Sequence, residues 1–298
     1  MSKFPLYLFI RRLLIGLGVA LVLVVFAAWQ AGSELIKPAA WTVGDAPADL
    51  QGVTVHIPLA SGGAVAGWWL QGQAGQGVVV LLHGVKADRW AMSARAQFLR
   101  RAGYSVLLVD LPAHGESTGQ YITFGVNEGE AVKAMLAYLR RQVPGEKVGV
   151  IGVSLGAAAV VLAKATPPPD AVVVESMFPT IEDAVTDRMV HYFGPLGRGV
   201  APLLLWQLPW RLGISTGQLH PIDEIGALAA PVLVASGTED PLTTLPEARR
   251  IFAAAKEPKQ FWAVEGAAHW DLHAYNPAAY QAKILPFLAA YLPRKVRP

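Results

Sequence analysis

The chain has 298 residues, of which 53% are hydrophobic and 16% charged, and its formal net charge is +3. It contains no cysteine, which excludes a disulfide framework, a cysteine-ligated zinc site and a cysteine nucleophile. The small net charge, without a long basic run, argues against nucleic acid as a partner. The length suits one large α/β domain or two smaller ones, and the apolarity predicts a segment directed to a membrane.

The first predicted element is an apolar segment at residues 13–29, which contains no charged side chain. It lies at the short end of the range that spans a bilayer, and residues 30 and 31 can extend it. Three basic residues precede the apolar segment, namely Lys3, Arg11 and Arg12. Only one basic residue, Lys37, follows it closely. The positive-inside rule therefore predicts a cytoplasmic N-terminus and export of everything after residue 31.

Two fates of this segment remain open. A cleaved signal peptide is one of them, because Ala31, Gly32 and Ser33 form a tolerable cleavage site of small residues. A retained anchor over residues 1–31 is favoured, because the apolar run is longer than the usual core of a signal peptide. We therefore expect a single-pass protein of the cell membrane, whose larger part lies on the periplasmic or extracellular side.

After a predicted linker at residues 32–50, strands and helices alternate through a domain over residues 51–298. Apolar or β-branched runs predict eight strands, at 53–57, 64–70, 78–82, 105–109, 147–152, 171–174, 231–236 and 260–264. Helical spacing occurs at 88–102, 126–142, 154–165, 244–255 and 276–292. The first two strands are close enough to pair as a hairpin. This alternation predicts an α/β fold with a mostly parallel eight-stranded sheet and helices on both of its faces.

Ser154 lies where the predicted strand 147–152 gives way directly to a helix. Its neighbours Gly152 and Gly156 suit a sharp strand-to-helix turn, since Cβ atoms at those positions would collide with the tightly turned backbone. The start of the helix brings the N–H of Leu155, with its positive dipole end, beside the serine oxygen. We therefore predict that Ser154 is a nucleophile, and the alternative is a serine that only caps the helix.

A serine hydroxyl needs a base, and the base needs an acid that orients it. His269 follows the last predicted strand after a short Gly-Ala loop, and Asp240 follows the strand before it. Because the carboxyl ends of parallel strands share one edge of a sheet, the order Ser154, Asp240, His269 predicts a catalytic triad. His273, a little further along the chain, is a local competitor for the role of base.

At these residues the chain resembles the α/β-hydrolase superfamily, over about residues 50–292. The stretch VVVLLHGVKAD is similar to the family's strand and oxyanion loop, and by that match the oxyanion donors are the N–H groups of Val85 and Leu155. DLPAHGEST is similar to a second family loop, from which Pro112 and Ala113 depart. The stretches VVVESMFPTIEDAV and PIDEIGALAAPVLVASGTED are similar to a membrane-anchored lipase/peptidase-like branch of the family.

The resemblance also implies loop-shaping roles for polar residues near the strand ends, namely His83, Asp110, His114 and Glu175. Some family members take the triad acid from the strand before the usual one. Glu175 therefore remains an alternative acid.

An insertion at about residues 176–221 is too long for a plain connection between strands. Large apolar side chains crowd its centre: Leu203, Leu204, Leu205, Trp206, Leu208 and Trp210. The insertion is predicted to be a helical cap that packs on its own domain. It is compatible with a lid whose inner face receives an acyl chain or whose outer face touches the bilayer. We assign Leu205 and Trp206 to substrate binding.

Together these features predict a membrane-tethered serine hydrolase that cleaves a carboxylic ester through an acyl-enzyme, with an apolar acyl group favoured over a polar one. No metal or organic cofactor is needed for this chemistry. The expected partner is a small-molecule ester, for which a lipid-derived compound is one candidate, and a nucleic acid is not expected. A serine peptidase acting on short peptides and a catalytically silent binding protein of the same fold are the alternatives.

Overall fold

The structure, a computed structural model, describes residues 6–293 and begins with a long helix, α1 (Leu6–Ile36). Side chains over residues 13–26 of α1 are exposed. By length and composition residues 7–36 are suited to cross a membrane, with a mean hydropathy of 2.4 over their most apolar stretch. Lys3, which entered the orientation prediction, lies outside the described residues. The helix runs on to Ile36, past the predicted end of the anchor at residue 31.

Residues 32–50, expected as a linker, are held against the rest of the chain at several points. Two of them form the short strand β1 (Ala39–Ala40), which pairs in parallel with β6 (His114–Gly115). Glu116 accepts hydrogen bonds from the N–H groups of Val43 and Gly44, at 3.1 and 3.0 Å. These contacts fix the path of the chain between α1 and the sheet.

A sheet of eight strands forms the centre of the molecule. Its strands are β2 (Val53–Pro58), β3 (Ala64–Leu70), β4 (Val78–Leu82), β5 (Ser105–Val109), β7 (Val148–Val153), β8 (Ala171–Glu175), β9 (Val232–Gly237) and β10 (Lys259–Val264). Their spatial order is β10-β9-β8-β7-β4-β5-β3-β2. β3 runs opposite to the other seven strands of this sheet, and its antiparallel pairing with β2 is the predicted hairpin. The predicted eight-stranded, mostly parallel sheet is confirmed.

Helices cover both faces of the sheet, as predicted. In chain order after α1 they are α2 (Ser93–Arg101), α3 (Val126–Gln142), α4 (Leu155–Leu162), α5 (Ile181–Phe193), α6 (Gly197–Leu205), α7 (Gln207–Leu212), α8 (Pro221–Glu224), α9 (Leu245–Ala254), α10 (Leu272–Tyr275) and α11 (Pro277–Tyr291). Side chains of α3, α4 and α9 join the core on one face, and those of α2, α10 and α11 join the core on the other.

The helix expected at residues 88–102 starts later than predicted, and its start has a local cause. The helix expected from residue 88 begins at Ser93, since the Asp88 carboxylate accepts the N–H of Trp90 and caps a 3₁₀ turn over Arg89–Met92. Asp favours such side-chain-to-backbone bonds, which compete with a regular α-helix.

The insertion between β8 and β9 is helical, with α5, α6 and α7 over the carboxyl edge of the sheet. Its apolar interior is built from Ile181, Leu208, Ile214 and Leu219. α6 also packs directly against α1. The cap therefore lies between the sheet and the N-terminal helix.

Candidate active site

Ser154 occupies the sharp turn between β7 and α4, with φ +49° and ψ −108°. A positive φ is strained for a residue with a side chain, and strain of this kind is typical of the nucleophile turn in this type of fold. A Cβ at Gly152 would lie 2.5 Å from the carbonyl oxygen of Gly156, and a Cβ at Gly156 would lie 2.5 Å from that of Leu82. Both glycines are thus required by the turn, which leaves the serine 6% exposed at the carboxyl edge.

Asp240 and His269 are brought together at the same edge of the sheet. Asp240 follows β9 and His269 follows β10, and His269 Nδ1 lies 2.8 Å from Asp240 Oδ2. The aspartate side chain is fully buried, whereas the histidine is partly exposed. An ionised carboxylate only accepts hydrogen bonds, so Nδ1 carries the proton and Nε2 is left as the basic nitrogen.

The Asp240 carboxylate is held by donors that sequence reasoning did not find. The N–H groups of Leu242 and Thr243 donate to Oδ1, each at 2.9 Å, and the Thr243 hydroxyl donates to Oδ2 at 2.8 Å. Burial raises the pKa of Asp240, but the hydrogen bond from His269 and these amides outweigh it and hold the pKa below its usual value. An aspartate followed by Pro and Thr could have signalled this side-chain-to-backbone turn.

In the part of the chain that the structure describes, no direct hydrogen bond joins the Ser154 hydroxyl to the His269 ring. Hydrogen bonds between a nucleophile and its base are often long without substrate and shorten in the reacting complex. The competitor His273 is engaged elsewhere, because its ring stacks on Phe98 with centroids 5.1 Å apart and meets Tyr280 edge-on. Of the two histidines, it is His269 that carries the carboxylate partner.

Glu175, the alternative acid, lies in a buried ion network rather than beside the His269 ring. Its carboxylate accepts from Arg95 at 2.7 Å and from the Tyr280 hydroxyl. Arg95 also donates to Asp271 at 2.8 Å. Asp271 in turn caps α10, so the network ties the loop that carries His269 to α2 and to the end of β8.

The two predicted oxyanion donors, the amides of Val85 and Leu155, lie in the wall of the cavity that contains Ser154. Neither N–H donates to a protein acceptor in the part of the chain that the structure describes. Leu155 is the first residue of α4, so its N–H points out of the helix start with the positive end of the dipole. The oxyanion role of the two amides stays a prediction.

Two neutral histidines fix the backbone of the Val85 loop. His83 donates from Nδ1 to the Gly84 carbonyl and accepts the N–H of Leu111 at Nε2. His114 Nε2 accepts the N–H of Lys86 at 3.1 Å, directly after Val85. Burial, with His114 nearby, lowers the pKa of His83 to about 3, and burial also lowers the pKa of His114. The rings therefore stay neutral and can accept these N–H groups.

A cavity of about 140 Å³ opens beside Ser154 and is lined almost entirely by apolar atoms. Its cap wall comes from α5, α6 and α7, with Ile181, Val185, Leu204, Leu205 and Leu208. Charged side chains also reach it, from Lys86, Arg188 and Arg211. The cavity has the apolar lining with few polar groups that small-molecule sites usually have.

The two residues assigned to substrate binding are placed differently. Leu205 lines the cavity as predicted, whereas Trp206 does not line it and is 59% exposed, facing Trp210. Successive residues of a helix point about 100° apart, so neighbours in sequence do not share one face. The structure therefore places Leu205 at the cavity and Trp206 outside its lining.

A further wall of the cavity comes from α1, through Gly32, Leu35 and Ile36. The sequence analysis did not predict this wall.

Within residues 6–293, no group of three or more His, Asp or Glu side chains has an arrangement that could hold a metal ion.

Comparison with known proteins identifies the family to which the chain belongs. A family model described as "Alpha/beta hydrolase family" matches residues 79–282, and the chain belongs to that family. It is 32% identical over 255 residues to the uncharacterized protein Rv2307c of Mycobacterium tuberculosis, covering 83% of this chain and 84% of that protein. The uncharacterized protein YqkD of Bacillus subtilis is 20% identical over 236 residues, covering 78% of this chain and 77% of that protein.

Among solved structures, the esterase Pf2001 of Pyrococcus furiosus has a similar fold, with a TM-score of 0.71 and 24% sequence identity. The match covers 87% of this chain and 98% of that protein. At this identity the likeness concerns the fold.

Proposed function

We propose that this protein is a membrane-tethered serine hydrolase that cleaves a carboxylic ester with an apolar acyl group, through an acyl-enzyme. The observation that carries the proposal is the strained Ser154 on the wall of an apolar cavity, with the hydrogen-bonded pair Asp240 and His269 at the same edge of the sheet. The structurally similar Pf2001 of Pyrococcus furiosus is an esterase, which supports the same class of substrate.

The proposed reaction begins when the Ser154 oxygen attacks the carbonyl carbon of the ester. His269 Nε2 takes the serine proton, and Asp240 keeps the ring oriented and stabilises its charged form. The N–H groups of Val85 and Leu155 donate to the oxyanion that develops on the carbonyl oxygen. His269 then gives its proton to the leaving alcohol, which leaves an acyl group on the serine.

In the second half of the reaction a water molecule takes the place of the alcohol. His269 removes a proton from the water as it attacks the acyl carbon, and the proton returns to the serine oxygen when the acid leaves. The loop that carries Val85 is held by His83 and His114, so its amide does not need to reorganise during either half. Amides that are already oriented stabilise a developing charge at little cost.

For localisation, we place α1 across the cell membrane with its N-terminus in the cytoplasm and the catalytic domain on the exported side. The length and apolarity of residues 7–36 support a span, and the basic residues Arg11 and Arg12 at its start support the orientation. The substrate partner is then a small-molecule ester that reaches the outer surface of the membrane.

Labelling with a fluorophosphonate probe tests the nucleophile, together with hydrolysis of p-nitrophenyl esters by the full chain. Ser154→Ala is expected to abolish labelling, and Ser154→Ala, His269→Ala or Asp240→Asn to reduce turnover by about 10⁴-fold or more. Ser176→Ala is the matched control, because Ser176 is also a buried serine with positive φ directly after a strand.

Unchanged labelling or turnover in Ser154→Ala would reject the serine hydrolase. Labelling of Ser154 with hydrolysis of aminoacyl amides but not of esters would favour a peptidase. A folded protein that is neither labelled nor active would favour a silent binding protein.

A further inference from the structure

The last turns of α1, residues 28–36, differ from the rest of that helix because they pack on the catalytic domain. Earlier residues of α1, at positions 13–26, are exposed, whereas Ala28 and Ile36 are buried. We call residues 28–36 the exit turns of α1. Gly32, Leu35 and Ile36 within them line the same cavity as Ser154.

Side chains of α7 hold the exit turns in place. Gln207, which is buried, donates from Nε2 to the carbonyl oxygen of Ala28 at 3.0 Å. The Arg211 guanidinium lies 3.8 Å from the centre of the Trp29 ring and donates to the Trp29 carbonyl oxygen. Such contacts to backbone carbonyls and to an aromatic face fix the position of one helix on the other.

Gly32 lies close to Gln207 of the cap, with no room for a side chain between them. A Cβ at this position would lie 2.2 Å from Gln207 Oε1, so any side chain here displaces the glutamine. Gly16 and Gly18, in the earlier part of the same helix, have no such neighbour within 4 Å. The C-terminal end of the exit turns is held by Ile122, whose N–H donates to the Ile36 carbonyl oxygen at 2.9 Å.

We propose that the exit turns of α1 form one wall of the acyl-binding site, so that the alkyl chain of the substrate lies between α1 and the cap helices. The inference rests on the proposed function, since it specifies where the acyl group of that ester is bound. It makes α1 a substrate-binding element as well as an anchor. The substrate class is a long-chain acyl ester, whose alkyl chain can pass along α1 between the bilayer and Ser154.

Three features of the site carry this inference. The cavity is apolar along the α1 wall as it is along the cap wall, which suits an alkyl chain. The wall is rigidly placed, because hydrogen bonds hold it at Ala28 and at Ile36. The same helix continues into the segment suited to a bilayer, so one helix joins the cavity wall to the apolar span.

A photoreactive probe tests the position of the acyl chain. The probe is a fluorophosphonate with a long alkyl chain that carries a diazirine near its far end, added to the full-length protein in detergent micelles. We expect it to label Ser154, and light then to attach the chain to a peptide that contains residues 28–36. A probe with a two-carbon chain and the diazirine close to phosphorus should label Ser154 without reaching that peptide.

The outcomes separate this inference from the function on which it rests. A probe that labels Ser154 but attaches only to peptides outside residues 28–36 overturns the α1 wall and leaves the hydrolase intact. No labelling of Ser154 at all overturns the proposed function itself, and the α1 wall with it.

Matched glycine variants provide the second measurement. Gly32→Leu fills the contact with Gln207, and we expect the ratio of kcat/KM for a long-chain ester to that for an acetate ester to fall about tenfold or more. Gly18→Leu makes the same change on an exposed part of α1 and should leave the ratio within twofold of the wild type. An unchanged ratio in Gly32→Leu, or an equal loss for both esters, overturns the proposal. Because a large side chain could disturb folding, Gly32→Ala is measured beside it with the melting temperature.

Discussion

At the scale of single residues, the pairing of Asp240 with His269 could be predicted because both residues follow strands that the sequence marks clearly. Ser154 stands directly after an apolar run, and Asp240 and His269 follow theirs after short loops, so their common edge follows from the parallel sheet. Thr243 could not be assigned a role in the same way, since its hydroxyl bond to Asp240 depends on how a four-residue turn closes. The neutral state of His83 likewise depends on burial, which no local motif reports.

Glu247 shows how burial sets the charge of a residue close to the site. Burial, to which Asp187 adds, raises the pKa of Glu247 to about 7 against the opposing hydrogen bond from the Thr244 amide. Asp187, whose pKa is also raised by burial, lies near both Glu247 and Asp240. The pair of carboxyl groups therefore retains a proton under conditions in which ordinary carboxyl groups are ionised.

This proton makes stability depend on pH in a defined direction. In the unfolded chain Glu247 has its ordinary pKa near 4.5, so the folded state binds more protons than the unfolded state between about pH 4.5 and 7. The contribution of protonated Glu247 to folding stability is complete below about pH 4.5 and is lost as the pH rises through about 7. Glu247→Gln keeps an acceptor for Thr244 but cannot ionise. We expect its melting temperature to exceed that of the wild type at pH 8 and to match it at pH 4.5.

The control for this measurement is Glu130→Gln, because the Glu130 side chain is largely exposed on α3. It should leave the melting temperature unchanged at both values of pH. If the melting temperatures of Glu247→Gln and the wild type change with pH in the same way, the proposed role of this carboxyl group is contradicted.

At the scale of elements, the strands were the most predictable part of the fold and the cap was the least. All eight strands of the main sheet lie within one residue of the predicted bounds, because short β-branched runs between polar loops admit few other structures. The centre of the cap segment is a run of large apolar residues and contains Pro202 and Pro209, so its sequence does not reveal which face is inner. The sequence therefore predicted the same role for Leu205 and Trp206, although only Leu205 lines the cavity.

The contrast between these two neighbours provides a test of the cap wall. Each methylene removed from water contributes about 0.8 kcal/mol, so the benefit of an apolar wall grows with the length of the acyl chain. Leu205→Ala should lower kcat/KM for a long-chain ester about tenfold more than for an acetate ester, since about 1.4 kcal/mol corresponds to a factor of ten. Trp206→Ala removes a larger side chain but one that lies outside the cavity, so it should leave the ratio unchanged.

Both variants need a melting temperature, because lost packing in a cap can lower activity toward every ester. An equal loss for both esters in Leu205→Ala, together with a lower melting temperature, would mean that this residue only packs the cap.

At the scale of the whole molecule, the main feature is that α1, the cap and the catalytic site share one cavity. The hydrogen bond between Gln207 and Ala28 joins residues 179 positions apart in the chain. A contact of that separation has no signature in local sequence patterns, so α1 was predicted only as an anchor. A faint signal was present in the small or apolar residues Ala28, Gly32 and Leu35, which repeat at helical spacing just beyond the apolar core.

The contacts of α1 with the cap and the cavity bear on whether the N-terminal segment is retained or cleaved as a signal peptide. Cleavage before Glu34 would remove Ala28 and Gly32, and with them the contacts to Gln207 and part of the cavity wall. We therefore expect the mature protein to retain α1, with residues before the apolar core in the cytoplasm. The experiment fuses alkaline phosphatase after residue 298 in a bacterial host, since this reporter needs disulfides and is active only when it is exported.

The fusion should be active, and N-terminal sequencing of the membrane fraction should begin upstream of residue 13. Arg11→Glu with Arg12→Glu should reduce reporter activity, because basic residues at the start of the span set its orientation. Arg249→Glu with Arg250→Glu reverses the same charges on an exposed part of α9 and should leave the reporter unaffected. An inactive reporter would place the catalytic domain in the cytoplasm. A mature chain that starts at Glu34 would make the segment a signal peptide, and the cavity would then have to function without the wall formed by Ala28 and Gly32.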